Sequence, residues 1–174
     1  PTPLFVAAER GCVEIVRFLL EAGAAPDQAR ADGATPLFVA AEKGRVEIVP
    51  FLLEAGAAPD QARADEATPL FVAAETDGVE IVRLLLEAGV APDPARIDRV
   101  TPTPLFVAAE RGCVEIVRFL LEAGAAPDQA RADGATPLFV AAEKGRVEIV
   151  PFLLEAGAAP DQARADEATP LFVA

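Results

Sequence analysis

The stretch that decides the fold runs from Thr35 to Ala67: "TPLFVAAEKGRVEIVPFLLEAGAAPDQARADEA". Its opening phrase, "TPLFVAA", also begins at Thr2, Thr68, Thr103 and Thr136, and a shorter "TPLFVA" begins at Thr169. The starts are separated by 33, 33, 35, 33 and 33 residues. A period of this size marks a solenoid, in which each repeat is one small structural unit that needs its neighbours. A longer period lies over the short one: residues 1–73 recur letter for letter as 102–174. Identity that complete means a very recent duplication, engineering, or a sequence assigned by periodicity.

Within the unit, Thr35-Pro36 reads as a helix start. The Thr oxygen caps free N–H groups, and Pro suits the first helical position. There is no capping box, because Phe38 stands where Glu or Gln would reach back. A short helix, "PLFVAAEK", follows and Gly44 stops it. A second, "VEIVPFLLEA", ends at Gly56. Its counterpart in the first repeat sets Glu14, Arg17 and Glu21 three and four apart on a solvated stripe, with Val13, Val16, Leu19 and Leu20 facing away and Ile15 beside them. The polar loop "AAPDQARADEA" then carries turn residues, and the first and fourth repeats place Asp-Gly at its tip (Asp32-Gly33, Asp133-Gly134). Helices this short are marginal alone in water. Each exposes an apolar face that only the next unit covers.

Composition excludes several functions. The 174 residues are 52% hydrophobic and 25% charged, which suits a packed core. The net charge of −13 opposes binding to nucleic acid or to an anionic membrane surface. No apolar run approaches the roughly 20 residues of a membrane span. The chain contains no His, Ser, Tyr, Trp, Asn or Met. Most general bases, activated hydroxyls and metal ligands come from that group, so we expect no enzyme, no cofactor and no metal. The two cysteines, Cys12 and Cys113, occupy equivalent places 101 residues apart and read as small structural residues. We expect a soluble, intracellular protein. With no initiator Met and no distinct terminal repeats, we read the chain as a piece of a longer one, its ends covered by further repeats or by another chain.

The segment "DGATPLFVAAEKGRVEIVPFLLEAGAAPDQARA" resembles the ankyrin repeat in three places: D-G-x-T-P-L, then A-A-x-x-G, then I-V-x-x-L-L-x-x-G-A, at a period of 33. The resemblance spans essentially the whole chain. It implies an all-α solenoid of stacked helix-turn-helix units with projecting hairpin-like loops, divided as 2–34, 35–67, 68–102, 103–135, 136–168 and a partial 169–174. It further implies that a concave face of loops and first helices binds partner proteins.

This sequence departs from the family pattern in several places. Phe5, Phe38, Phe71, Phe106, Phe139 and Phe172 stand where the family keeps a His that ties loop to helix. We expect buried rings stacked between neighbours, with a hydrophobic partner slot as the other reading. Pro50 and Pro151 fall inside second helices and predict a local kink. In the third repeat Asp77 takes the helix-stop position ahead of Gly78. The following loop, "APDPARIDRVTP", has two extra residues, an additional proline at Pro94 and no Gly, and predicts a longer connection or a hinge.

By the resemblance, partner-reading positions are the loop tips and the ends of first helices. These are Asp32 and Asp133 at the tips, with Glu42, Lys43, Glu75, Glu143 and Lys144. Glu9, Glu42, Glu75, Glu110 and Glu143 recur at one helix position, either an acidic stripe for a basic partner or a solvated face. Arg30, Arg63, Arg96, Arg131 and Arg164 form a ladder expected to pair with Asp27 and its equivalents. Because the tips are otherwise Ala and the copy duplicates them, the partner is expected to be basic or repetitive. The same poverty opens a second function: a structural spacer or peripheral subunit of a larger assembly.

Overall fold

The computed structural model describes residues 1–93 and 102–162. The longer loop with Pro94 and Arg96, the hinge expected there, Arg164, Phe172 and the repeat start at Thr169 lie outside the described residues. The chain divides into two compact units, Pro1–Val90 and Ala91–Ala174, taken one at a time below. The described residues form ten helices and no strand.

In the first unit the helices are α1 (Pro3–Arg10), α2 (Val13–Glu21), α3 (Pro36–Glu42), α4 (Val49–Glu54), α5 (Pro69–Glu75) and α6 (Val79–Glu87). Links of two to six residues fold each pair back on itself. First helices stack as α1 on α3 on α5, and second helices as α2 on α4 on α6. The second unit repeats the plan with α7 (Pro104–Arg111), α8 (Val114–Glu122), α9 (Pro137–Glu143) and α10 (Val150–Glu155), α7 packing on α9 and α8 on α10.

Every described first helix starts as its Thr-Pro predicts. Thr2, Thr35, Thr68, Thr103 and Thr136 are extended N-caps whose Oγ1 accepts the N–H of the Phe three residues on, at 3.1–3.2 Å. Replacing such a cap typically costs about 1 kcal/mol. The Leu and the two Ala of "TPLFVAA" are buried in the described copies, as Leu37, Ala40 and Ala41 illustrate, save the half-buried Ala142, and the small Ala side chains let neighbouring helices approach. Phe5, Phe38, Phe106 and Phe139 are buried, while Phe71 is half-buried. Burying a Phe side chain fully stabilises by about 1.5–3 kcal/mol.

The expected kink at Pro50 is not present. The second helix starts three residues later than its counterpart in the first repeat, at Val49, which places Pro50 in its first turn. There a missing N–H leaves nothing unmade, because first-turn N–H groups have no intrahelical partner. The displaced residues form a tighter turn in which Ile48 N–H donates to Arg45 O at 3.0 Å, and Leu52 N–H then donates to Ile48 O at 3.2 Å. Pro151 acts in the same way at the start of α10.

The third repeat keeps its geometry with different residues. Asp77 adopts the left-handed conformation, φ 59°, that glycine holds elsewhere. Gly78 N–H then donates to Ala73 O at 2.8 Å, as Arg45 N–H does to Ala40 O. A Cβ on Gly78 would lie 3.2 Å from Ala73 O, so the glycine answers a close approach and not a positive φ.

Candidate partner-binding face

The loop tips are built by one charged side chain folded over its own turn. Arg30 N–H donates to Ala34 O at 2.8 Å and Gly33 N–H to Arg30 O at 2.9 Å, closing a small hairpin. Asp32 Oδ1 accepts Ala34 N–H at 3.1 Å and Arg30 Nε at 3.0 Å, and its Oδ2 accepts Arg30 Nη2. The second repeat builds the same clasp with Arg63 and Asp65, and the fourth with Arg131 and Asp133. The hydrogen bond from Arg30 holds the Asp32 carboxyl well below the usual carboxylate range, and Arg63 does the same for Asp65. At Glu66, which occupies the place of Gly33, a non-glycine residue sits at φ 64°.

Each described loop arginine also lies over the phenylalanine of its own first helix. The guanidinium carbon is 5.1 Å from the Phe5 ring centre for Arg30, 4.8 Å from Phe38 for Arg63 and 5.0 Å from Phe106 for Arg131. A cation at that distance is attracted by the negative ring face, by about 0.5–2 kcal/mol. The Phe is therefore part of a loop-to-helix tie, made by cation and ring.

The ladder expected between Arg30 and Asp27 takes a different form. Arg30 bonds to Asp32, two residues on. Asp27 instead accepts the backbone N–H of Ala58, 31 residues away, on both oxygens at 2.9 and 3.1 Å. Asp128 holds Ala159 in the same way at 2.9 and 3.2 Å, and Asp93 accepts Ala126 N–H at 2.6 Å. These aspartates set the register between repeats. Two further bonds join neighbours: Ala64 N–H to Asp32 O at 3.0 Å, hairpin to hairpin, and Arg45 Nε to Glu9 O at 3.0 Å, matched by Arg146 to Glu110 O.

The predicted contact residues are distributed unevenly around these clasps. Asp32 and Asp133 are committed to their own turns. Glu42 is half-buried between Lys43, at 3.1 Å, and Arg63, at 3.6 Å. Glu143 and Lys144 are exposed and 3.9 Å apart. Glu75 is half-buried at the end of α5. The field of Arg63 joins Asp65, Glu42 and Asp32, and that of Arg131 joins Asp133, Glu110 and Glu143. Cationic rungs thus alternate with the glutamates. On the outer helices, Arg17 reaches Glu21 at 3.8 Å, and Arg83 reaches Glu80 and Glu87, forming the solvated stripe that the spacing implied.

The sequence reading missed the exposed apolar surfaces at Ile15, Phe18, Val147 and Leu154. Residue type carries no signal for them, since identical residues are covered elsewhere in the chain.

Paired short helices, repeated with a clasped hairpin between pairs, define a helical repeat protein. Family models agree: "Ankyrin repeats (3 copies)" matches residues 1–63 and 55–130, and "Ankyrin repeat" matches 133–165. The chain belongs to the ankyrin repeat family. Members of that family are generally modules for protein–protein interaction and typically have no enzymatic activity. Among curated proteins no match to the chain was found. Among the described residues, no helix is long and apolar enough to cross a membrane.

Proposed function

We propose that the chain is a non-enzymatic interaction scaffold that receives a partner protein along the face of its hairpins and first-helix ends. The observation that carries this reading is the fixed hairpin row. Each described tip is clasped to its own first helix by arginine on phenylalanine, and the first tip is bonded to the second through Ala64 and Asp32. A surface held this way loses little freedom when a partner docks. Lys43, Glu75, Glu143 and Lys144 are the side chains that would read that partner. Glu42 and the aspartates Asp32 and Asp133 act from behind, by holding the arginines in place.

The engaged tips also support the spacer reading. With Asp32 and Asp133 folded into their turns, a tip offers mainly alanine methyl groups, which favours length and stacking over recognition. Crosslinking mass spectrometry on material from the native source separates the two. A scaffold gives crosslinks from Lys43 and Lys144 to one recurrent partner, and reversing the charges of Lys43, Glu75, Glu143 and Lys144 abolishes its recovery. Recovery that survives the reversal overturns the hairpin-face reading. Failure on deletion of one 33-residue repeat alone would leave the spacer.

A further inference from the structure

With 28 acidic residues to 15 basic ones, a cation that lacks a carboxylate partner needs a reason. Among the described residues, every Lys and Arg but four reaches a carboxylate. The four are Arg10, Arg45, Arg111 and Arg146, and they fall at one place in the fold. Arg10 ends α1 and Arg45 lies in the link after α3; Arg111 and Arg146 are their copies at the ends of α7 and α9.

Arg45 is held by its inner nitrogen alone. Its Nε donates to Glu9 O of the preceding repeat at 3.0 Å, and its stem crosses Gly11 so closely that a Cβ there would lie 3.2 Å from Cδ. Neither terminal nitrogen has a partner among the described residues. Described repeats stand on both sides of this side chain, which is half-buried. Arg10, Val13 and Val46 line the same crevice, of about 280 Å³; Glu47 lines it too and bonds to neither arginine. The second unit builds the crevice again, with Arg146 Nε on Glu110 O at 3.0 Å and its stem over Gly112 at 3.1 Å.

The stacking of links does not by itself make this charge. In the next crevice of the first unit, Gly78 takes the place of Arg45 and Asp77 that of Gly44. Lys43 is paired there with Glu42, and Asp77 and Glu80 line the walls. The same cleft is therefore cationic in one register and acidic in the next.

A guanidinium fixed at Nε with both terminal nitrogens open presents a fork that matches an oxyanion end-on. Phosphate would bring a second negative charge towards Glu47, whereas a carboxylate brings one. The valine walls suit the stem of a side chain better than a free ion. We infer that the Arg10–Arg45 crevice, and its copy at Arg111 and Arg146, receives Asp or Glu side chains from an acidic segment of a partner protein. This partner has the opposite charge to the one that the glutamate stripe suggested, and the inference does not rest on the hairpin face.

The test is selection of random displayed peptides on the 174-residue chain at physiological salt, where repulsion from its other carboxylates is screened beyond about 8 Å. The retained pool should be enriched in Asp and Glu. A selected peptide, labelled with fluorescein and followed by anisotropy, should lose roughly tenfold or more in affinity when its acidic residues become Gln. The double variant Arg45→Gln, Arg146→Gln should lose as much. Because those arginines also bond to Glu9 and Glu110, a second pair, Arg10→Gln with Arg111→Gln, removes exposed side chains that meet no described partner. It should weaken binding severalfold and leave the urea midpoint unchanged. Arg17→Gln with Arg118→Gln removes the same charge from paired arginines and should leave the peptide bound as before. A pool without acidic enrichment overturns the inference. So do acidic peptides that bind both crevice variants as tightly as the parent, or that lose as much affinity from the Arg17 and Arg118 changes.

Discussion

Repeats 35–67 and 136–168 place one sequence in two settings. Their inner halves are indistinguishable: Phe38 and Phe139, Ile48 and Ile149, and Leu52 and Leu153 are all buried. Their outer halves diverge. Val49 is buried and Val150 half-buried; Arg45 is half-buried and Arg146 exposed. A repeat's inner half is completed by its own pair and the pair before it, and its outer half by whatever stands after it. That division is the energetic form of nearest-neighbour stacking.

The comparison is tested most strongly at the rings. Phe38→Ala should cost about 3–5 kcal/mol in urea unfolding, and Phe139→Ala the same within error, because both rings are equally buried. A large gap between the twins would show that the inner halves are not alike. Next come the register bonds. Asp27→Ala and Asp128→Ala each remove an ionised acceptor from a backbone N–H, and each should cost about 1.5–3 kcal/mol by the same measurement. Valine should separate what these leave equal. Val49→Ala deletes two buried methyl groups and should cost about 1.6 kcal/mol or more, while Val150→Ala should cost roughly half as much.

The smallest effect is that of acid. Asp32 and Asp65 are held below the ordinary carboxylate range by their arginines. A carboxyl with a depressed folded pKa contributes stability above its unfolded pKa and loses it as the pH falls through the folded value. The urea midpoint should therefore not change on their account from neutral pH down to about 4, where free carboxyls titrate, and should decline below that. Replacing both with Asn should flatten the decline. An unchanged acid slope in that double variant would mean the clasps contribute nothing to folding.

Much of the fold is legible in the residues. Thr-Pro marks each described first-helix start, Asp77 before Gly78 marks a displaced left-handed residue, and four of the phenylalanines in place of His, Phe5, Phe38, Phe106 and Phe139, are buried as their chemistry requires. What stays hidden depends on partners that spacing does not name. Pro50 sits in mid-pattern, and only the cost of a missing donor shows that the helix retreats to begin just ahead of it. Arg30 has several acidic residues within reach of its long side chain, and the turn geometry decides for Asp32. Asp27 bonds to a backbone N–H, a group that every residue but proline offers, so its target leaves no mark in the sequence. The proposed contact positions were legible as places and not as roles: Asp32 lies at the tip as expected, yet its carboxylate faces inward to its own arginine.

The clasp of arginine on phenylalanine has a further consequence. An imidazole in that position would gain or lose its proton close to neutral pH, and the tie between loop and helix would change with it. A guanidinium keeps its proton throughout the physiological range and a benzene ring has none to give. Across acidified and neutral compartments alike, the hairpins of this protein are fastened by a joint that is blind to protons.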